Sequence, residues 1–319
     1  MYAYLERLIL SNSRWLQLIA PSGYAPDLEV AIRGIKVLRR LGFSVANLAV
    51  IERRYLRFAG TLSERVDEIN YLAKGEHPLP DVILMMRGGY GASQLLEWLD
   101  YQGLDRCMNK HGPVMLVGHS DFTALQMALL ARAKITTFAG PMLLSDFGAK
   151  VVSNFTLSHF QSMLNYPEHT VRWVTDAWQD LNEAGLLWGG NLSVLVNLVG
   201  TPFFPKIDGG ILFLEEVNES LFRIERMLYQ LHLSGILCRQ KAIIFGQFTE
   251  CRVSDYDNGY EILTMIDHLR SLIRIPIVTR LPFGHVYDKL TLPVGGHAQL
   301  KVEGAQAVLR LSQYPCRGV

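Results

Sequence analysis

The sequence predicts an α/β protein, with an N-terminal doubly wound, mostly parallel sheet domain and a C-terminal α/β domain with antiparallel strands. Three features point that way. From about residue 15 to 145, short and nearly uninterrupted apolar runs alternate with amphipathic stretches, the pattern of strands buried on both faces between helices. Over 146–186 the rhythm lapses into polar and aromatic-rich sequence, and afterwards it resumes. The tail, TLPVGGHAQLKVEGAQAVLRL, alternates with the period of two that hairpin strands show. The division expected is a domain over 1–150, a linker with some helix over 151–186, and a second domain over 187–319.

Taken in order, LQLIAP reads as a strand. LEVAIRGIKVLRRLG sets Val30, Ile32, Ile35, Val37 and Leu38 at helical spacing and stops at Gly42. VANLAVI reads as a strand. SERVDEINYLAKG reads as a helix behind a Ser63 cap, with an acid placed for a capping box. VILMM (82–86) has the length and continuous apolarity of a strand buried on both faces. SQLLEWLD is helical, PVMLVG a strand and DFTALQMALLARAK a helix. In the second half, GGNLSVLVNLVGTP reads as a helix opened by a glycine turn and ILFLEE as a strand. SLFRIERMLYQLHLSG is a helix ended by Gly235, KAIIFGQF a strand and EILTMIDHLRSL a helix.

Composition excludes several function classes. With 319 residues, 49% hydrophobic, 19% charged and a net charge of +1, the chain can bury a large core but offers no basic face for nucleic acid. Arg39-Arg40 and Arg53-Arg54 are short pairs among apolar residues and read as solvated surface. No apolar run approaches the roughly 18 residues that would span a bilayer. The first residues carry charges where a signal peptide needs an apolar stretch, so a cytoplasmic protein is expected. Cys107, Cys238, Cys251 and Cys316 show no CxxC spacing, which suggests neither a disulfide framework nor a zinc site. Neither cofactor nor metal is expected.

In parallel sheets, ligands bind beyond the carboxyl ends of strands, and three such ends carry chemistry. VILMM runs into Arg87-Gly88-Gly89-Tyr90-Gly91. That loop would let backbone N–H groups approach an anion, or would simply turn tightly into a helix. VMLVG runs into His119-Ser120-Asp121, a strand–turn–helix with Gly two residues before Ser, as in a nucleophile elbow. Phe122 stands where G-x-S-x-G has its second glycine, so the α/β-hydrolase motif is not met, and taken alone Ser120 reads as a helix N-cap. Asp121 reads as a cap on the same helix. ILFL runs into Glu215 and Glu216, which are either two solvated acids at a turn or a carboxylate held over the sheet edge. Downstream, His285 follows Phe283-Gly284 in a loop, as an anchor or as a base. Ser, Glu and His on separate loops match the parts of a serine-hydrolase triad, which is recognised by roles rather than by order.

Several spellings narrow this further: Ile19-Ala20-Pro21-Ser22-Gly23, Arg57-Phe58-Ala59-Gly60-Thr61, Arg87-Gly88-Gly89-Tyr90-Gly91, Gly118-His119-Ser120-Asp121-Phe122-Thr123-Ala124, Gly140-Pro141-Met142, Trp188-Gly189-Gly190-Asn191-Leu192, Leu214-Glu215-Glu216 with Arg223-Ile224-Glu225-Arg226-Met227-Leu228, and Phe283-Gly284-His285. Together and in this order, from about residue 16 to 310, they resemble the LD-carboxypeptidases, the murein tetrapeptide carboxypeptidases of cell-wall recycling. The microcin C immunity peptidases share the superfamily. The resemblance implies a Ser-His-Glu triad on a fold unrelated to the α/β-hydrolases. Ser120 is then the nucleophile, His285 the base and Glu215 the acid, with Glu216 as the alternative. It also implies an acyl-enzyme, oxyanion donors from the backbone of Asp121 and of Gly88 or Gly89, and a homodimer. The implied substrate is L-Ala-γ-D-Glu-meso-diaminopimelate-D-Ala, cut to the tripeptide. Arg87 or Arg226 is a candidate for holding its terminal carboxylate, with an intramolecular ion pair the favoured reading of Arg226, and Tyr90, Trp188 and Asn191 are candidate pocket residues. Two other readings are a peptidase of the antibiotic-inactivating branch and a non-catalytic module binding a phosphate ligand at RGGYG. RGGYG and LEEVNE resemble the recycling branch.

Overall fold

The computed structural model describes residues 14–75, 78–112, 114–176, 180–252 and 254–318. Residues 1–13, which bear on the expectation about a signal peptide, lie outside them. The first sheet is built on β1 (Arg14–Ile19), β2 (Phe43–Ala46), β3 (Val82–Met85), β4 (Met115–Gly118) and β5 (Thr137–Ala139), all parallel and in the order 2-1-3-4-5. Every residue of β3 is fully buried, as its unbroken apolar run requires. Each such Val, Ile, Leu or Met contributes about 1.5–3 kcal/mol relative to exposure.

Helix α1 (Leu28–Arg40) starts at Asp27, whose carboxylate accepts from Glu29 N and Val30 N, and the chain leaves it through Gly42 at φ 90°. Helix α2 (Leu62–Ala73) is capped by Thr61, not by Ser63. Glu64 closes a true capping box there, since it stands three residues after Thr61. VANLAVI is not a strand throughout: pairing with β1 ends at Ala46, and Leu48–Ile51 tightens into a 3₁₀ turn after Asn47 in a left-handed conformation. Ala92–Trp98, expected as a helix, is also 3₁₀, and helix α3 (Tyr101–His111) follows behind an Asp100 cap. Helix α4 (Thr123–Ala133) is buried on almost every side, Gln126 included. Such all-round burial marks a helix wedged between layers, here between the first sheet and the second half of the chain.

Residues 151–186, expected as a linker with some helix, form helix α5 (Asn154–Asn165), strand β6 (His169–Val174) and the start of β7 (Leu181–Asn191). The second sheet continues with α6 (Leu192–Asn197), β8 (Ile211–Val217), α7 (Leu221–Leu233), β9 (Ala242–Thr249), α8 (Ile262–Leu272) and β10 (Ile277–Val278). β11 (Leu292–Val294) then crosses to pair antiparallel with β5 of the first sheet. β12 (His297–Glu303) and β13 (Gln306–Ser312) form the hairpin that the alternating tail predicted. The second sheet runs β10-β9-β8-β7-β12-β13-β6, parallel from β7 to β10 and antiparallel beyond. Gly189 and Gly190 lie in the end of strand β7, and Asn191, its last residue, opens α6 as the N-cap, its Oδ1 accepting from Val194 N at 3.2 Å. At Gly189 a Cβ would fall 1.9 Å from Phe213 O, so only glycine lets these strands approach.

No helix among the described residues is long and apolar enough to cross a membrane.

Candidate active site

The loops after β1, β3 and β4 meet at one edge of the first sheet. The first two flank the place where strand order reverses, the usual ligand crevice of such sheets. Ser120 follows β4 and adopts φ +63°, a left-handed conformation that costs a non-glycine residue on the order of 1–2 kcal/mol. Its hydroxyl caps no helix: α4 begins after Phe122, and neither that start nor the short turn Ser120–Phe122 has a side-chain cap. Strain without a capping role fits a displayed nucleophile. Gly88 packs against it so closely that a Cβ there would lie 2.8 Å from Ser120 Oγ and 3.5 Å from Asp121 N.

Asp121 is not a cap on its own helix either. Its buried carboxylate reaches across to neighbouring loops, accepting from Ser22 Oγ at 2.5 Å and from Ala92 N at 2.9 Å. Burial raises its pKa, opposed by those two hydrogen bonds and by the Arg65 and Arg57 cations. Arg65, itself buried, donates to Pro21 O at 2.9 Å and Gly91 O at 3.1 Å. The loops carrying Ser22, Gly88 and Ser120 are thus laced together by two buried charges.

The second half supplies the remaining parts. His285 Nδ1 lies 2.8 Å from Glu215 Oε2, with Glu215 fully buried and His285 one-quarter exposed. Glu216 faces elsewhere, accepting from Ser193 N (2.7 Å), Val217 N and Asn191 Nδ2 (both 2.9 Å). The pairing register of β8 with β9 shifts between Leu214 and Glu216. Such an irregularity redirects a strand's side chains, so adjacent acids meet different partners. Asn191, paired in register with Glu215, also donates to Glu215 Oε1 at 3.1 Å.

Behind His285 stands a second imidazole. His119 is buried, its ring 5.1 Å from that of His285 and nearly perpendicular to it. His119 Nδ1 lies 2.8 Å from Gly140 O, and Lys289 Nζ is 3.2 Å from His119 Nε2 and 2.9 Å from Asp146 Oδ1. Burial first, then the Lys289 and His285 charges, hold the His119 pKa well below its ordinary value. A neutral ring that donates from Nδ1 and accepts at Nε2 satisfies both contacts.

Ser120 and His285 line one cavity of about 340 Å³ together with Arg87, Gly88, Gly89 and Ser145. Arg87 donates to Tyr24 O at 3.3 Å. Other expected pocket residues lie elsewhere. Trp188 is fully buried and donates to Gln240, Asn191 positions Glu215 rather than lining the cavity, and Tyr90 packs outside it on Phe58. Arg226 is exposed on α7, its guanidinium 5.6 Å from the Phe222 ring, and among the described residues it makes no ion pair. Ser145 and Lys289 were not singled out in the sequence, where neither belongs to a contiguous motif, and His119, although part of the Gly118–Ala124 spelling, was given no role of its own.

The sequence matches the LD-carboxypeptidase N-terminal domain over residues 16–140 and the LD-carboxypeptidase C-terminal domain over 184–300. It is 33% identical over 293 residues to a putative carboxypeptidase of Streptomyces coelicolor, covering 89% of each chain. To the murein tetrapeptide carboxypeptidase of Pseudomonas aeruginosa it is 31% identical over 297 residues, covering 89% of this chain and 92% of that one. The crystal structure of muramoyltetrapeptide carboxypeptidase from Oxalobacter formigenes superposes with a TM-score of 0.87 at 44% identity, covering 94% of this chain and 99% of that one.

Proposed function

The chain belongs to the LD-carboxypeptidase family of serine peptidases, and on that premise we propose that it removes the terminal D-Ala from L-Ala-γ-D-Glu-meso-diaminopimelate-D-Ala through Ser120, His285 and Glu215. The observation that carries this reading is the His285–Glu215 contact of 2.8 Å beside a cavity that also holds Ser120. With Nδ1–H donated to a buried carboxylate, the His285 tautomer is set and Nε2 is left as a base. It takes the Ser120 proton as Oγ attacks the carbonyl of the L-centre of diaminopimelate. The oxyanion forms beside the N–H of Asp121 and an N–H of Gly88 or Gly89. His285 then returns the proton to the departing D-Ala amine. Water, activated by the same imidazole, releases the tripeptide from Ser120. Glu215 stabilises the imidazolium in both halves, and Arg87 meets the carboxylate of the leaving D-Ala.

The place proposed for this reaction is cytoplasmic murein recycling, carried out by a homodimer. Mass spectrometry of tetrapeptide incubated with the protein tests the reaction. Wild-type protein is expected to yield tripeptide and D-Ala. Ser120→Ala is expected to yield neither, while melting at the wild-type temperature. Full activity in that variant would overturn the reading.

A further inference from the structure

We infer that Arg54 and Arg57 form an anion-binding subsite beyond the cavity, taking the free α-carboxylate of the γ-linked D-glutamyl residue. The inference rests on the proposed substrate and extends it to the part of the peptide remote from the scissile bond.

The segment bearing both arginines is a tight turn. Tyr55 and Phe58 exchange both backbone hydrogen bonds at 2.9 Å, Leu56 between them sits at φ +52°, and Phe58 bridges to Gly23 beside the cavity. The Arg54 guanidinium lies 4.1 Å from the centre of the Tyr24 ring, and that of Arg57 lies 5.3 Å from Tyr90. Neither tyrosine lines the cavity, but each neighbours a residue that does. Tyr24 O accepts from Arg87, and Tyr90 follows Gly89 directly. Arg57 is also close enough to Asp121 to act on its carboxyl.

The neighbouring Arg53 is already committed to Glu68. By contrast, Arg54 and Arg57 are exposed, and among the described residues neither forms an ion pair with an acid. A guanidinium stacked by its face on an aromatic ring keeps its in-plane N–H fork free for a carboxylate. Two such forks on a short, well-held turn form a receptor whose ordering cost is small.

The substrate has the matching group. A γ-linked glutamate spends its side-chain carboxyl on the peptide bond and leaves its α-carboxylate free. That carboxylate belongs to the residue two positions upstream of the leaving D-Ala, roughly 7 Å of chain plus the glutamyl side-chain carbons beyond it. A cavity of about 340 Å³ is at the small end for ligand sites, so the upstream residues extend beyond it, toward the turn that bears the two arginines and bridges to Gly23.

Two synthetic tetrapeptides test this, one with the D-glutamyl α-carboxylate and one with the α-carboxamide, assayed with wild-type protein and with Arg54→Gln/Arg57→Gln. For the wild type, KM is expected to be about tenfold higher for the carboxamide, with kcat within about twofold. The double variant is expected to lose that discrimination. Its KM for the carboxylate peptide rises to the carboxamide value, and its KM for the carboxamide stays where it was. Equal KM values in the wild type, or a variant that weakens both peptides alike, would overturn the subsite while leaving the peptidase reading intact. A wild-type protein that cuts neither peptide removes both.

Discussion

Glu215 and Glu216 are neighbours and both are buried, yet only Glu215 meets His285. Glu216 spends its oxygens on the Ser193 and Val217 amides and on Asn191, so its work is to seat the loop that opens α6. In Glu215→Gln the amide can hold the imidazole in place but cannot stabilise its charged form. That variant is expected to lose about 10³–10⁴ in kcat, whereas Glu216→Gln loses less than about tenfold and shows its effect mainly in melting temperature. Equal losses of kcat would contradict the division of roles. From the sequence alone the two acids could not be separated, because the register shift that turns them apart arises from pairing with β9. Ser120, His285 and the glutamate pair could be picked out as candidates because each sits in a contiguous spelling at a strand end or loop. Trp188 and Arg226 were misjudged for the opposite reason. A motif carries no mark of whether its side chain faces the cavity, the core or solvent.

Among the elements, β3 and β4 were legible because a strand covered on both faces must be apolar throughout. The short pieces were not. Leu48–Ile51 has the composition of a strand, but the chain turns left-handed at Asn47 and the Asn47 side-chain amide donates to Leu18 O at 2.8 Å, so pairing with β1 stops at Ala46. β6 lies in polar sequence because it is the outer strand of the second sheet and buries only Val171 and Trp173 of its six residues. One contact of β6 yields a test. His169 Nε2 lies 2.6 Å from His159 Nδ1 on α5, and the two rings meet nearly edge-on. One nitrogen donates and the other accepts, which fails once both rings are protonated. Burial, followed by the His169 charge, lowers the His159 pKa to about 4. The folded state therefore binds a proton less readily than the unfolded chain. The stability this pair contributes is complete above the ordinary histidine value of 6.5 and is lost as pH falls through about 4. His159→Gln removes that titration. Melting temperatures measured across this window are expected to fall faster for the wild type than for the variant. Parallel curves would remove His159 as the source.

Across the whole molecule, the two sheets are joined where the cavity lies. β11 carries the second half back onto β5, and just before it Lys289 enters the interior to meet Asp146 and His119. Those three residues come from the loop after β10, the wall of the cavity after β5 and the strand end that displays Ser120. Asp146 also accepts from Met142 N (2.8 Å) and Ser145 Oγ (2.6 Å), so the same carboxylate shapes the cavity wall. No local pattern in the sequence announces such a cluster, since Asp146 and Lys289 are 143 positions apart (289 − 146). Both are almost wholly shielded from solvent, their side chains 6% and 2% exposed. Taking two charges out of water is costly, and their attraction offsets that cost only while both are present. Lys289→Met should therefore leave a buried carboxylate without its cation and destabilise the fold by about 3–5 kcal/mol in urea unfolding. Lys289→Met/Asp146→Asn keeps an acceptor for Met142 N and removes the orphaned charge, so it should regain at least about half of that loss. If the double variant is instead as unstable as the sum of the single ones, the pair is not coupled, and the seam between the halves is held by packing of α4 and β11 alone.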